Sequence, residues 1–164
     1  MMNKLLPLLA RPGAPAAAVL AGLVGALALQ HVFGWAPCPL CILQRLTAIA
    51  LALCLWAWAW CKPSRARDLA LAAAVAFAVT GIWAAGAHLW ILFGPQDGAC
   101  GPGVARFVGH LVDALPGSEW LLEGGGACED ARYQLLGLPL PAWAGALHLV
   151  GASWALALRL RRGR

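Results

Sequence analysis

At 164 residues the chain has the length of one domain, but 62% apolar and only 12% charged residues exclude an ordinary soluble domain. Its net charge of +5 does not mark a nucleic-acid surface: Lys4, Arg11, Lys62, Arg65, Arg67, Arg159, Arg161, Arg162 and Arg164 all flank the ends of apolar runs. Six of the seven acids, Asp97, Asp113, Glu119, Glu123, Glu129 and Asp130, fall in one long polar segment, so the charge pattern reports topology and excludes nucleic acid as a partner.

Residues 1–14 are short and basic, with Pro7, Pro12 and Pro15 restricting where a helix can begin. The apolar run 16–35 can cross a hydrocarbon core about 30 Å thick at about 1.5 Å per residue. It reads as a retained span rather than a cleaved leader, because no small-residue cleavage site follows it and Ala26-Leu27-Ala28 lies inside the run. A second run covers 40–60 and ends at the basic turn Cys61-Lys62-Pro63-Ser64-Arg65-Ala66-Arg67-Asp68. The third, 69–93, carries no formal charge, and His88 lies near its end. Residues 94–140 form a polar loop, and the fourth run, 141–158, leads into Arg159-Leu160-Arg161-Arg162-Gly163-Arg164.

Within the loop, Val104, Phe107, Val108, Leu111, Val112 and Leu115 recur at helical spacing between Pro102 and Pro116, with Arg106, Gly109, His110 and Asp113 off that face. A short helix lying on the membrane surface and a helix packed on the body both fit this pattern. Four spans place both termini and the 61–68 turn on one side, together with the nine flanking cations. The other side keeps only Arg106 and Arg132, with Arg45 just inside a helix. The positive-inside rule puts the termini in the cytoplasm and residues 36–39 and 94–140 outside. Trp35, Trp60, Trp90 and Trp143 fall near span ends, as interfacial anchors do. The expectation is an all-α integral membrane protein embedded in the lipid bilayer. It is one domain over 1–164, a four-transmembrane-helix bundle with a long outer loop able to carry a short surface helix.

Four of the six cysteines, Cys38, Cys41, Cys100 and Cys128, fall on the outer side, where disulfides persist. Cys38 and Cys41 are spaced Cys-x-x-Cys, a ring too small to staple a fold, since cross-linking entropy grows with loop length. The pair opens a helix, with Pro39 suited to an early helical position, and the positive end of the helix dipole favours thiolate. Arg45 follows Cys41 by four residues on the same face, a fixed cation that further favours the anion. A charge inside a span is a functional candidate, with snorkelling to the interface as the alternative. No metal is expected, since zinc needs two more ligands and the chain has neither a second Cys-x-x-Cys nor a His-x-x-x-His. Covalent haem needs a His after the second Cys, where Ile42 stands. These residues point to redox chemistry. Glycines flank Cys100 (Gly98, Gly101, Gly103) and precede Cys128 (Gly124-Gly125-Gly126), which suits cysteines that change partners, although a static bridge closing the loop fits as well. His88 can donate to a carbonyl-bearing ligand or sit as an interfacial histidine. His148 reads as helix-packing polarity, and Cys54 and Cys61 as free thiols toward the cytoplasmic side.

Three stretches together resemble the DsbB family of bacterial inner-membrane disulfide-bond formation proteins. They are Cys38-Pro39-Leu40-Cys41-Ile42-Leu43-Gln44-Arg45, His88 twelve residues before Cys100, and Cys128 followed by Gly137-Leu138-Pro139-Leu140-Pro141-Ala142-Trp143. Gln44 departs from members that carry an acid there. The resemblance implies a protein-dithiol:quinone oxidoreductase whose partners are a periplasmic DsbA-type thiol oxidase and the membrane quinone pool, with ubiquinone or menaquinone bound non-covalently. It implies that Cys100 forms the mixed disulfide with the partner and releases Cys128. Cys128 then engages Cys38, Cys41 faces the quinone, and Arg45, with His88 as a weaker candidate, lies at the quinone. Two rivals remain at this stage. A vitamin-K-epoxide-reductase-like enzyme would carry its Cys-x-x-Cys in the last span rather than at the start of the second. A scaffold with two structural disulfides would leave disulfide formation in other exported proteins untouched by Cys38→Ser.

Overall fold

The computed structural model describes residues 11–94, 102–114, 119–122, 124–130 and 132–162. Cys100, the cysteine expected to meet the partner protein, lies outside the described residues. Four long helices dominate: α1 (Ala14–Phe33), α2 (Pro39–Trp60), α3 (Arg65–Phe93) and, after the outer loop, α6 (Leu140–Arg162). Prolines set two of the starts. Pro15 sits in the first turn of α1 and Pro39 in that of α2, where a missing N–H leaves no helix bond unmade. Helix α3 begins four residues before the predicted run, taking in Arg65, Ala66, Arg67 and Asp68. Its 29 residues make it about 43 Å long, so it outreaches the hydrocarbon core.

All four helices are long and apolar enough to cross a membrane, with mean hydropathy from 1.2 to 2.0 over their best windows. Much of this apolar surface faces outward: Phe33, Trp60, Trp83 and Phe93 are all exposed. Lipid is the medium in which such faces are stable. Helix α2 is the most enclosed, with half of its window buried, and it packs against α3 and α1. Between the helices, Val19, Leu51, Leu55, Trp58, Ala74, Ala78 and Ala155 form the main core. The small residues of α3 there let the backbones approach, which is how helices associate where burial from water contributes nothing. At the end bearing the 61–64 turn, Arg159 pairs with Asp68 and the Arg67 guanidinium lies 5.2 Å from the Trp58 ring centre.

Among the described residues the outer segment carries two short helices, α4 (Pro102–Ala114) and α5 (Glu119–Leu122). Helix α4 packs on the body: Val108 is buried against Ile42 and Leu122, with Val104 and Val112 beside it, while Arg106, Phe107 and His110 stay exposed. A two-residue hairpin of β1 (Gln134–Leu135) and β2 (Leu138–Pro139) then leads into α6. Its turn residues, Leu136 and Gly137, have φ of 54° and 79°, the primed-turn geometry that matches strand twist. The Trp143 indole N–H donates to the Leu135 carbonyl at 3.0 Å and ties the hairpin to α6.

Candidate thiol redox site

The site is built where α2 begins. Cys38 is the N-cap residue, in extended conformation, and its Sγ accepts the Cys41 backbone N–H at 3.4 Å. That contact turns both side chains to one side of the first helical turn, with the sulfurs 3.1 Å apart and both cysteines free. The separation is about 1 Å longer than the ~2.05 Å of a disulfide, so bond formation needs little movement. Cys38 has no exposure at all, whereas Cys41 is partly open.

His88 of α3 is also fully buried and lies against both sulfurs. Its Nδ1 is 3.8 Å from Cys41 Sγ and its Nε2 is 3.8 Å from Cys38 Sγ. The Nε2 atom also meets the Cys128 carbonyl oxygen at 3.2 Å. A carbonyl can only accept, so Nε2 carries the hydrogen, and in the neutral ring Nδ1 presents its lone pair to the Cys41 thiol. A basic nitrogen beside a thiol is the arrangement that receives the proton when the sulfur turns nucleophilic. The sulfurs and the ring nitrogens all lie within 4.8 Å of one another, a closeness across 50 residues of sequence that no spacing rule reveals.

Cys128 arrives from the outer segment. It is 1% exposed, disulfide-bonded, and packed in one cluster with Cys38, Leu40 and Ala84. The glycines before it permit close approach. The Gly126 N–H donates to the Pro37 carbonyl at 3.3 Å, and a Cβ on Gly124 would lie 2.6 Å from that oxygen and 2.5 Å from Ile42 Cδ1. Gly124 and Gly126 thus lie against the backbone that precedes Cys38, with Gly125 turned to open space.

Arg45 is one turn further into α2 and only 8% exposed. Its Nη1 donates to Gln30 Oε1 on α1 and, at 3.1 Å, to the Leu121 carbonyl of α5. His31 holds the same short helix by stacking on Trp120, with ring centres 4.8 Å apart and planes 9° from parallel. Its Nε2 also donates to the Trp120 carbonyl at 3.1 Å.

Between α1, α2, α6 and the hairpin lies a cavity of about 430 Å³. Leu23, Ala26, Leu29, Trp35, Tyr133, Trp143 and Leu147 give it apolar walls, while Gln30, Cys41, Gln44, Arg45 and His148 are the polar exceptions. Cys41 lines this cavity and Cys38 does not; His88 stands behind the sulfurs, off the wall. The structure thus brings together Cys38, Cys41, His88, Cys128 and Arg45. Sequence reasoning missed Gln30 and Gln44 on the wall; His148, expected as helix-packing polarity, is also there and meets Thr47 of α2 at 3.0 Å. The available signal for the two glutamines was their polarity inside apolar spans, which marks functional sites in membranes. Cys54 packs among the core helices and Cys61 is exposed where α2 ends, at the other end of the helix from the pair.

Comparison with known proteins shows the family. The family profile described as Disulfide bond formation protein DsbB matches residues 12–158. The chain belongs to the DsbB family. Similar curated proteins include Disulfide bond formation protein B of Acinetobacter baumannii, 39% identical over 80% of this chain and 81% of that protein. Disulfide bond formation protein B 1 of Pseudomonas savastanoi pv. phaseolicola is 36% identical over 85% and 82%. The Burkholderia pseudomallei protein B is 34% identical over 88% and 86%. No solved structure gives a significant match. Membership in the DsbB family covers both the helix that presents the thiols and the segment that carries Cys128.

Proposed function

We propose that this chain sustains disulfide bond formation in exported proteins, as an inner-membrane oxidoreductase that takes electrons from a periplasmic DsbA-type dithiol protein and passes them to a membrane quinone. One observation carries the reading: Cys41 is 3.1 Å from Cys38 and on the wall of an apolar cavity, while Cys38 is sealed in a cluster with disulfide-bonded Cys128. The pair therefore has one sulfur toward the outer segment and one toward the bilayer.

The cavity fits a quinone headgroup. It has the size of a small-molecule pocket, apolar and aromatic walls for a flat ring, and Arg45 and Gln44 as polar points for ring oxygens. A bound ubiquinone or menaquinone supplies a two-electron acceptor that becomes the hydroquinone on taking up two protons. Everything else is done by the chain. In our reading Cys128 is bonded to Cys100, the one cysteine of the six that lies outside the described residues. A thiolate of the partner attacks Cys100, forming a mixed disulfide and releasing Cys128 as thiolate. The partner's second thiol resolves the mixed disulfide and leaves Cys100 reduced. Cys128 attacks Cys38 of the oxidised Cys38–Cys41 pair, and Cys41 leaves as thiolate, steadied by the helix N-terminus and Arg45. Attack by Cys100 on Cys128 frees Cys38 and restores the loop disulfide. Cys41 and Cys38 then give up an electron pair and two protons to the acceptor and reform their bond, with His88 Nδ1 placed to take a thiol proton. The test is quinone reduction by detergent-purified protein given a reduced periplasmic dithiol protein. It should vanish in Cys41→Ser; reduction that continues unchanged there would sink the mechanism.

A further inference from the structure

Among the described residues, three buried side-chain nitrogens lack a hydrogen-bond partner: Gln44 Nε2, Trp58 Nε1 and Arg67 Nε. Only Gln44 belongs to the cavity wall. It lies beside Arg45 and is 6% exposed, so its amide hydrogens have no water to turn to. Buried donors are nearly always paired, and one left unpaired at a cavity calls for an acceptor brought in from outside.

None of the described neighbouring polar groups is a partner of Gln44 Nε2; they bond to one another instead. His148 of α6 is 1% exposed, with Nδ1 2.7 Å from the Ala144 carbonyl and Nε2 3.0 Å from Thr47 Oγ1. The carbonyl fixes the hydrogen on Nδ1, so Nε2 of the neutral ring is an acceptor, and the single Thr47 hydroxyl hydrogen is shared among it and the Leu43 and Gln44 carbonyls, each 3.0 Å away. The ring cannot swing away. It fills the place where Gly81 of α3 has no side chain, and a Cβ there would collide with the imidazole. Three helices thus clamp His148 and Thr47 in a closed pairing, and Gln44 is left with free N–H groups.

We propose that Gln44 is a quinone-positioning residue, its carboxamide donating a hydrogen bond to a ring carbonyl oxygen of the acceptor beside Arg45. This deepens the reading of the cavity as a quinone site and rests on it. The ligand class is a para-quinone, and the donor also stabilises negative charge growing on that oxygen as electrons arrive. Removing a neutral donor of this kind weakens binding by about three- to tenfold. Replacing an unpaired buried amide by an apolar group of similar shape is neutral or stabilising for the empty protein.

The experiment uses full-length protein in detergent, with Gln44→Leu and Gln44→Met as independent apolar substitutions, so that one can stand if the other fails to fold. Short-chain ubiquinone and menadione are titrated separately by tryptophan quenching, and the infrared carbonyl band of each bound quinone is recorded. The expected result is a dissociation constant raised about three- to tenfold for both quinones. A carbonyl band moved to higher frequency and an unfolding midpoint without quinone that does not fall should accompany it. Unchanged affinity and an unchanged band overturn the proposal while leaving the cavity reading intact, provided wild-type protein binds. Wild-type protein that binds neither quinone overturns the cavity reading itself. A loss confined to ubiquinone, which alone of the two carries methoxy groups, overturns the assignment to a carbonyl.

Discussion

Arg45, one turn along α2 from Cys41, and His88, reaching the sulfurs from α3, are both buried, yet their surroundings give them different work. Arg45 lines the cavity, and among the described residues the polar partners of His88 are the two sulfurs and the Cys128 carbonyl oxygen. Losing Arg45 removes a charge-assisted donor, worth about 1.5–3 kcal/mol or roughly ten- to a hundredfold in affinity. Arg45→Ala should therefore raise the KM for quinone by about that factor, measured with the dithiol protein saturating. His88→Gln removes the proton acceptor and should lower kcat about a hundredfold with little change in that KM. Steady-state kinetics on the two variants check both statements, and an exchange of the two patterns would reverse the roles assigned here. At this scale the sequence revealed the thiols and Arg45, because both lie within two helical turns of one another on α2. It placed His88 near the right end of α3 but not against sulfur, since that contact depends on how α2 and α3 pack.

The described elements of the outer segment are short, and their hold on the body is local. Helix α5 rests on Arg45 and on the His31–Trp120 stack, and the 124–126 stretch rests on Pro37. Gly124→Val puts carbon where Ile42 and the Pro37 oxygen already stand, an overpacking that costs about 1–3 kcal/mol. The expected outcome is faster limited proteolysis of the outer segment and slower oxidation of the dithiol protein, with quinone affinity unchanged. The hairpin offers a gain instead. Leu136 sits at φ 54°, where a non-glycine residue costs about 1–2 kcal/mol. Leu136→Asn should raise the unfolding midpoint of the detergent-solubilised protein by a few degrees in a thermal scan. This turn was not legible in the sequence, because Leu-Gly lacks the Asn-Gly or Asp-Gly signature that announces positive φ. The α4 face was legible as amphipathic. What it faces was not, because a valine stripe suits lipid and protein equally, and only the packing of Val108 on Ile42 and Leu122 decides it.

For the molecule as a whole, the fold class was the most legible property. A bilayer demands long charge-free helices, and that demand is written in runs no soluble domain would carry. Helix ends were less so: α3 begins within the basic turn, where Arg65 stays exposed and Arg67 lays its guanidinium over the Trp58 ring. The orientation proposed from flanking charge has a direct check. In intact spheroplasts, a membrane-impermeant thiol reagent should label reduced Cys100 and spare Cys61 until the cells are permeabilised. The opposite labelling would invert the topology.

The complete enclosure of Cys38 and His88, with Cys128 almost as deeply covered, has a consequence for the cell's chemistry. A small soluble thiol able to reach an oxidising disulfide would discharge it by exchange. A sulfur without solvent contact is insulated from such thiols in the electrical sense. In the proposed cycle current passes only at its two terminals, the outer segment and the apolar cavity. The potential of such a pair is held by kinetics, not by equilibrium with its surroundings, so an oxidant can persist in a compartment that would otherwise drain it.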